Sequence, residues 1–143
     1  MTVRLRRARF LAVVALVGLA AVSARRSLRR VEVAGASMAP SLRPGDRLVV
    51  VGRPWGPPPW PRPGQIVAVT DPREPRRILV KRVGAVDTRT GTIDVLGDSP
   101  GASTDSRTFG PVPRSTVLGR AVYRYGPPDR RGPLAVPGEY HRS

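Results

Sequence analysis

Residues 77–86 read Arg-Ile-Leu-Val-Lys-Arg-Val-Gly-Ala-Val (RILVKRVGAV), apolar and β-branched with no helical spacing. Such a run predicts a strand, in which Leu79, Lys81 and Val83 share one face and Ile78, Val80 and Arg82 the other. If the first face points inward, a lysine sits between two aliphatic neighbours. The plain alternative is that Lys81 lies at a sheet edge, packs its stem and keeps its amine in water.

Working outward, the texture stays β. Val31–Val33, Arg47–Val51 (RLVVV), Gln65–Thr70 (QIVAVT), Thr92–Leu96 (TIDVL) and Val117–Tyr125 (VLGRAVYRY) bring the strands to about six. Ser41–Asp46 (SLRPGD) supplies turn chemistry between the first two. Residues 52–64, GRPWGPPPWPRPG, hold six prolines and cannot form a central strand. Trp55 and Trp60 within them either enter a lipid headgroup layer or stack on prolines to close the end of the sheet. The expected fold is all-β: a small domain over residues 31–125, its sheet closed barrel-like to protect its edges. A Pro- and Arg-rich tail, 126–143, is expected to be disordered.

Ahead of the β region, Phe10–Ala24 (FLAVVALVGLAAVSA) is an unbroken apolar run behind a basic segment, residues 1–9. Fifteen residues at ~1.5 Å each fall short of the ~30 Å hydrocarbon core, and flanking arginines must extend the reach. Val22-Ser23-Ala24 also resembles a cleavage site, but Arg25, Arg26, Arg29 and Arg30 follow at once and favour a retained transmembrane anchor. Arginines tie at four a side, so the charge rule does not orient the helix. The expected location is the cell membrane, single-pass, with the folded domain on the extracytoplasmic face.

The net charge of +15 first suggests nucleic acid. Eight arginines and no acid lie within residues 1–30, bracketing the apolar run, a pattern suited to anionic lipid headgroups and not to a nucleic-acid partner. The chain has no cysteine, which excludes disulfides and thiolate chemistry, and a lone His141 near the end. A histidine-based triad and a zinc hydrolase are therefore disfavoured, and no metal or cofactor is expected.

Of 25 basic side chains, one is lysine, Lys81. Codon bias accounts for the arginines. A surviving lysine marks a place where arginine fails, since arginine cannot lose its proton and a desolvated lysine can. Its natural partner is a hydroxyl on a stiff turn. Ala34-Gly35-Ala36-Ser37-Met38-Ala39-Pro40-Ser41 offers Ser37, with small residues that leave the backbone open and Pro40 behind it. The Ser37 backbone N–H is placed to help hold an oxyanion. A third segment, residues 97–110 (GDSPGASTDSRTFG), is either a polar loop or a brace in which Asp105 and Arg107 pair.

In this order, GASMAPSL, VKRV and GDSPGASTDSRTFGPV resemble the signal peptidase I family of serine proteases, over roughly residues 31–125. The resemblance implies Ser37 as nucleophile, Lys81 as general base and Ser103 as the serine that hydrogen-bonds the lysine. It further implies Asp105 and Arg107 as a structural ion pair, with Met38 and Pro40 shaping the nucleophile turn. Preproteins or propeptides cut after small residues are the implied substrates. Gly35 stands where some members carry an oxyanion-hole serine, so stabilisation would rest on backbone donors. Ser41 replaces a usual threonine, Ser99 a usual asparagine, and Gln65 follows Gly64 where aspartate is common.

Fifteen residues between Lys81 and Gly97 leave no room for the large extra domain of the bigger bacterial enzymes. The compact form is closer to mitochondrial inner-membrane proteases and to the maturation proteases of nickel superoxide dismutase. Rival readings are a maturase dedicated to one partner protein, a phage-repressor type autoprotease, and a tethered binding module with vestigial catalytic residues. The autoprotease lacks its helix-turn-helix here.

Overall fold

The structure is a computed structural model that describes residues 2–56 and 59–135, with the side chains of residues 2–4 left out. It begins with α1, Thr2–Ser27. Gly18 is its weakest helix former, and the arginines flanking the apolar run are good ones, so the helix runs past both ends of the expected Phe10–Ala24 segment. Leu5–Ser27, 23 residues with arginines near both ends, is long and apolar enough to cross a membrane by length and composition. At ~1.5 Å per residue it reaches about 34 Å, so the helix itself spans the core if the arginines near its ends extend their side chains to the headgroups. Arg25 and Arg26 sit on the last turn, favourable at the negative end of the helix dipole. The Ser27 hydroxyl bonds back to the carbonyls of Ser23 and Ala24 and helps satisfy that end.

All further pairing is antiparallel: β1 (Leu28–Glu32), β2 (Arg47–Val51), β3 (Ile66–Asp71), β4 (Glu74–Asp87), β5 (Thr92–Leu96), β6 (Val112–Pro113), β7 (Val117–Gly126) and β8 (Gly132–Pro133). The order across the sheet is β1-β2-β7-β3-β4-β5-β6, with β8 against β7. All-β is thus correct for the domain, but the barrel-like closure is not: the sheet is open, with β1 and β6 at its two ends. β6 has two residues, one of them Pro113 without an N–H, and offers too little ladder to pair onward.

The strands alternate between two apolar clusters. In β3, Ile66 and Ala68 join Met38, Leu42, Leu48, Val50 and Val80 in one cluster. Val67 and Val69 face the other way, among Leu79, Val83, Ile93, Val95 and Val112. A strand covered on both faces needs a continuous hydrophobic run, which QIVAVT provides.

The expected disordered tail also needs correction. Residues 126–135 are ordered: a 3-10 turn at Pro128–Arg130 leads into β8, and Leu134 packs against the first cluster. The physical reason is Asp46, 1% exposed, whose carboxylate receives the Arg130 guanidinium at 2.9 Å and Arg124 at 3.3 Å. A buried carboxylate demands such partners, and the tail supplies one. The rest of that tail, 136–143 with His141, lies outside the described residues.

Candidate active site

β4 carries Lys81 into the domain. Its side chain is 3% exposed, between buried Leu79 and Val83 as the alternation predicts. Burial pushes the Lys81 amine below the usual lysine range; Asp105 opposes the shift, while Arg77, Arg107 and Arg73 reinforce it. Nζ donates to Ser103 Oγ at 3.0 Å. The Ser103 hydroxyl in turn donates to Asp105 Oδ2 at 2.5 Å.

Asp105, fully buried, anchors the loop that follows β5. It caps α2, Ser106–Phe109, by accepting from the Arg107 backbone N–H at 3.0 Å, and it also accepts from Gly97 N at 2.8 Å. The Arg107 guanidinium grips both of its oxygens at 3.0 and 2.6 Å. That guanidinium holds the Asp105 carboxyl far below the usual carboxylate range; burial works against it, and the Gly97 and Ser103 donors support it. Of the two readings of residues 97–110, the brace is therefore the observed one.

Ser37 lies in a turn between β1 and β2, half-buried. The turn is held because Met38 and Leu42 are sunk fully into the first cluster and bond to each other through their backbone (Leu42 N to Met38 O, 2.9 Å). Pro40 is exposed behind it. Ser99 N donates to the Ser37 carbonyl at 2.9 Å, tying this turn to the 97–105 loop. Gly97 is wedged between: a Cβ there would lie 2.7 Å from the Ser37 carbonyl oxygen and collide with the Ser103 hydroxyl. At Gly35 a Cβ would meet nothing within 4 Å. Ser37, Gly35, Leu79 and Lys81 all line one cleft of about 190 Å³.

Two features of the site were not anticipated. Arg82, on the face opposite Lys81, pairs with Asp98 (2.7 and 2.6 Å), donates to the Gly64 carbonyl, and the Ser41 hydroxyl closes the group on Asp98 at 2.6 Å. This clamp holds β4, the serine turn and the 97–105 loop together. An arginine on the second face of a buried strand requires an acid nearby, and that was the available signal. Arg73 and Arg77 also line the cleft; Arg73 is bonded to Asp71 at 2.8 Å. They arrive through the β3–β4 hairpin, which spacing alone does not aim. Of the two tryptophans, Trp60 packs against the second cluster with Arg114 4.6 Å above its ring, whereas Trp55 is 56% exposed.

Comparison with known proteins places the chain in a family. The signal peptidase family, peptidase S26, matches residues 6–90 and 87–126. Subunit 1a of the mitochondrial ATP-independent inner membrane protease of Arabidopsis thaliana is 34% identical over 91 residues, which cover 50% of this chain and 54% of that protein. Subunit 1b of the same plant is 31% identical over 120 residues, 70% of this chain and 71% of that protein. A signal peptidase I of Leptolyngbya laminosa is 48% identical over 46 residues, 32% of this chain and 23% of its own length. The chain thus spans between about half and seven tenths of the length of the two plant subunits. It belongs to the signal peptidase family, peptidase S26.

Proposed function

We propose that the chain is a membrane-anchored serine endopeptidase that removes signal peptides or propeptides after small residues, with Ser37 as nucleophile and Lys81 as general base. The observation that carries this reading is the buried Lys81 amine, held by Ser103 on a cleft that Ser37 also lines. A neutral amine has two N–H bonds and one lone pair. One N–H is committed to Ser103, whose own proton is committed to Asp105, so the lone pair is left for another partner.

In the reaction, Lys81 takes the Ser37 hydroxyl proton as Oγ attacks the scissile carbonyl, then gives that proton to the leaving amine. Lys81 next activates a water that releases the acyl-enzyme and restores Ser37. The oxyanion is held by backbone N–H groups of the serine turn, and the open space at Gly35 lets the substrate backbone come close. The substrate lies extended along the cleft, with small side chains one and three residues before the cut. Similarity to inner membrane protease subunits and the apolar run of α1 support a single-pass membrane anchor; the face we assign to the domain, the extracytoplasmic side of the cell membrane, is part of the proposal.

The test is cleavage of a preprotein carrying an Ala-x-Ala site by the full chain in detergent micelles. Ser37→Ala and Lys81→Arg should each lose at least ~10³-fold in rate while the β-sheet circular dichroism is kept. Lys81→Arg keeps charge and length but cannot become neutral, and turnover by that variant would end the lysine-base mechanism.

A further inference from the structure

A second groove, of about 560 Å³, opens on the sheet where the chain leaves α1. Its walls are apolar: Trp60, Val67 and Val122 line it. Three exposed arginines, Arg53, Arg62 and Arg120, stand at its rim. Among the described residues, none of these three guanidiniums has a hydrogen bond or ion pair. Gly52, which also lines the groove, donates its N–H to the carbonyl of Ser27, the last residue of α1, at 2.7 Å. The groove is therefore fastened to the point where the apolar span ends, which is the level of lipid headgroups if α1 crosses a bilayer.

We infer that this groove holds an anionic phospholipid, with acyl chain against Trp60 and Val122 and phosphate among Arg53, Arg62 and Arg120. The inference rests on the membrane-anchored reading above. Charge complementarity selects the headgroup: guanidiniums bind phosphate in forked hydrogen bonds, and three of them unneutralised beside an apolar wall favour a ligand both acidic and greasy. Arg25, Arg26, Arg29 and Arg30 attract the same lipids non-specifically, and the groove adds a defined seat.

The experiment uses the full chain in nanodiscs of phosphatidylcholine doped with phosphatidylglycerol, an anionic lipid of the kind that attracts basic segments, released into native mass spectrometry. The expected result is one retained phosphatidylglycerol per chain. It should be lost in Arg53→Gln/Arg62→Gln/Arg120→Gln and in the groove-filling Val122→Trp, yet kept in Arg25→Gln/Arg26→Gln. Equal retention of phosphatidylcholine, retention by the groove variants, or loss in the Arg25/Arg26 control alone overturns the seat. A chain that enters no bilayer at all overturns the anchored reading, and the seat with it. Preprotein cleavage in micelles, measured in parallel, separates failure of the lipid seat from failure of the protease assignment.

Discussion

Lys81 and Ser103, 22 positions apart, meet with Nζ 3.0 Å from Oγ, and this single contact fixes where the only amine side chain of the domain points. Because Ser103 donates to Asp105, its oxygen is oriented to accept, and an accepting oxygen holds the lysine in either protonation state. In the proposed mechanism Ser103 is a positioning residue. Ser103→Ala should lower kcat by about 10²-fold with KM little changed, the usual cost of a misplaced base. It should also move the acid limb of the pH–rate profile, which a purely structural defect would leave in place. An unchanged profile alongside unchanged kcat would remove Ser103 from the mechanism.

In the proposed mechanism Lys81 also sets the pH dependence. Burial first, then the nearby arginines, lower its pKa from the ordinary 10.5, so the amine becomes neutral at a pH where an exposed lysine is still charged. Activity should rise with pH through that depressed value and reach a plateau below the ordinary lysine range. The same sign holds for stability: between the folded and unfolded pKa values the unfolded chain binds the extra proton, so raising pH through that window stabilises the fold. Titration of kcat/KM from pH 5 to 10 gives the limb, and a limb at or above the ordinary lysine value contradicts a desolvated base.

Asp105 behaves in the opposite sense. Its carboxyl is held low by Arg107, so its contribution is present above the ordinary 3.8 and is lost as pH falls through the folded value. Acid unfolding of the wild type should steepen below about pH 4. Asp105→Asn should flatten that dependence and lower the melting temperature at neutral pH by roughly 5–15 °C, because buried donors from Gly97 and Arg107 lose a charged acceptor. Circular dichroism melts at pH 3, 4 and 7 measure both effects.

Two glycines beside the site should respond differently to a methyl group. Gly97→Ala forces Cβ into the Ser103 hydroxyl and against the Ser37 carbonyl, and overpacking of this kind costs about 1–3 kcal/mol. Loss of cleavage should accompany it. Gly35→Ala meets open space and should leave the melting temperature unchanged, while Gly35→Ser adds a donor on the cleft and should not reduce kcat. A destabilised Gly35→Ala would mean that the turn is tighter than described.

The ordered part of the tail is a stability element remote from the chemistry. Arg130→Ala leaves buried Asp46 with the Arg43 backbone N–H and Arg124, and should lower the melting temperature by several degrees with cleavage per folded molecule unchanged. A melt identical to wild type would show that Arg124 suffices.

Alternation and composition alone determined much of this protein. β-branched runs at 47–51, 65–70, 77–86, 92–96 and 117–125 become strands because period 2 and side-chain shape act locally, and Lys81 is inward because its neighbours are aliphatic. The order of three short segments also pointed to the family. Other features depended on contacts between residues far apart. Openness of the sheet turns on what the two-residue β6 can pair with, and the order in 126–135 on a buried Asp46 more than 80 positions away. The Arg82–Asp98–Ser41 clamp and the arginines beside Lys81 likewise need the chain folded before any charge can find its partner. Periodicity sets which face a side chain takes, whereas only three-dimensional packing decides what waits opposite it, since the cost of burying a charge is met by whichever partner the fold brings within reach.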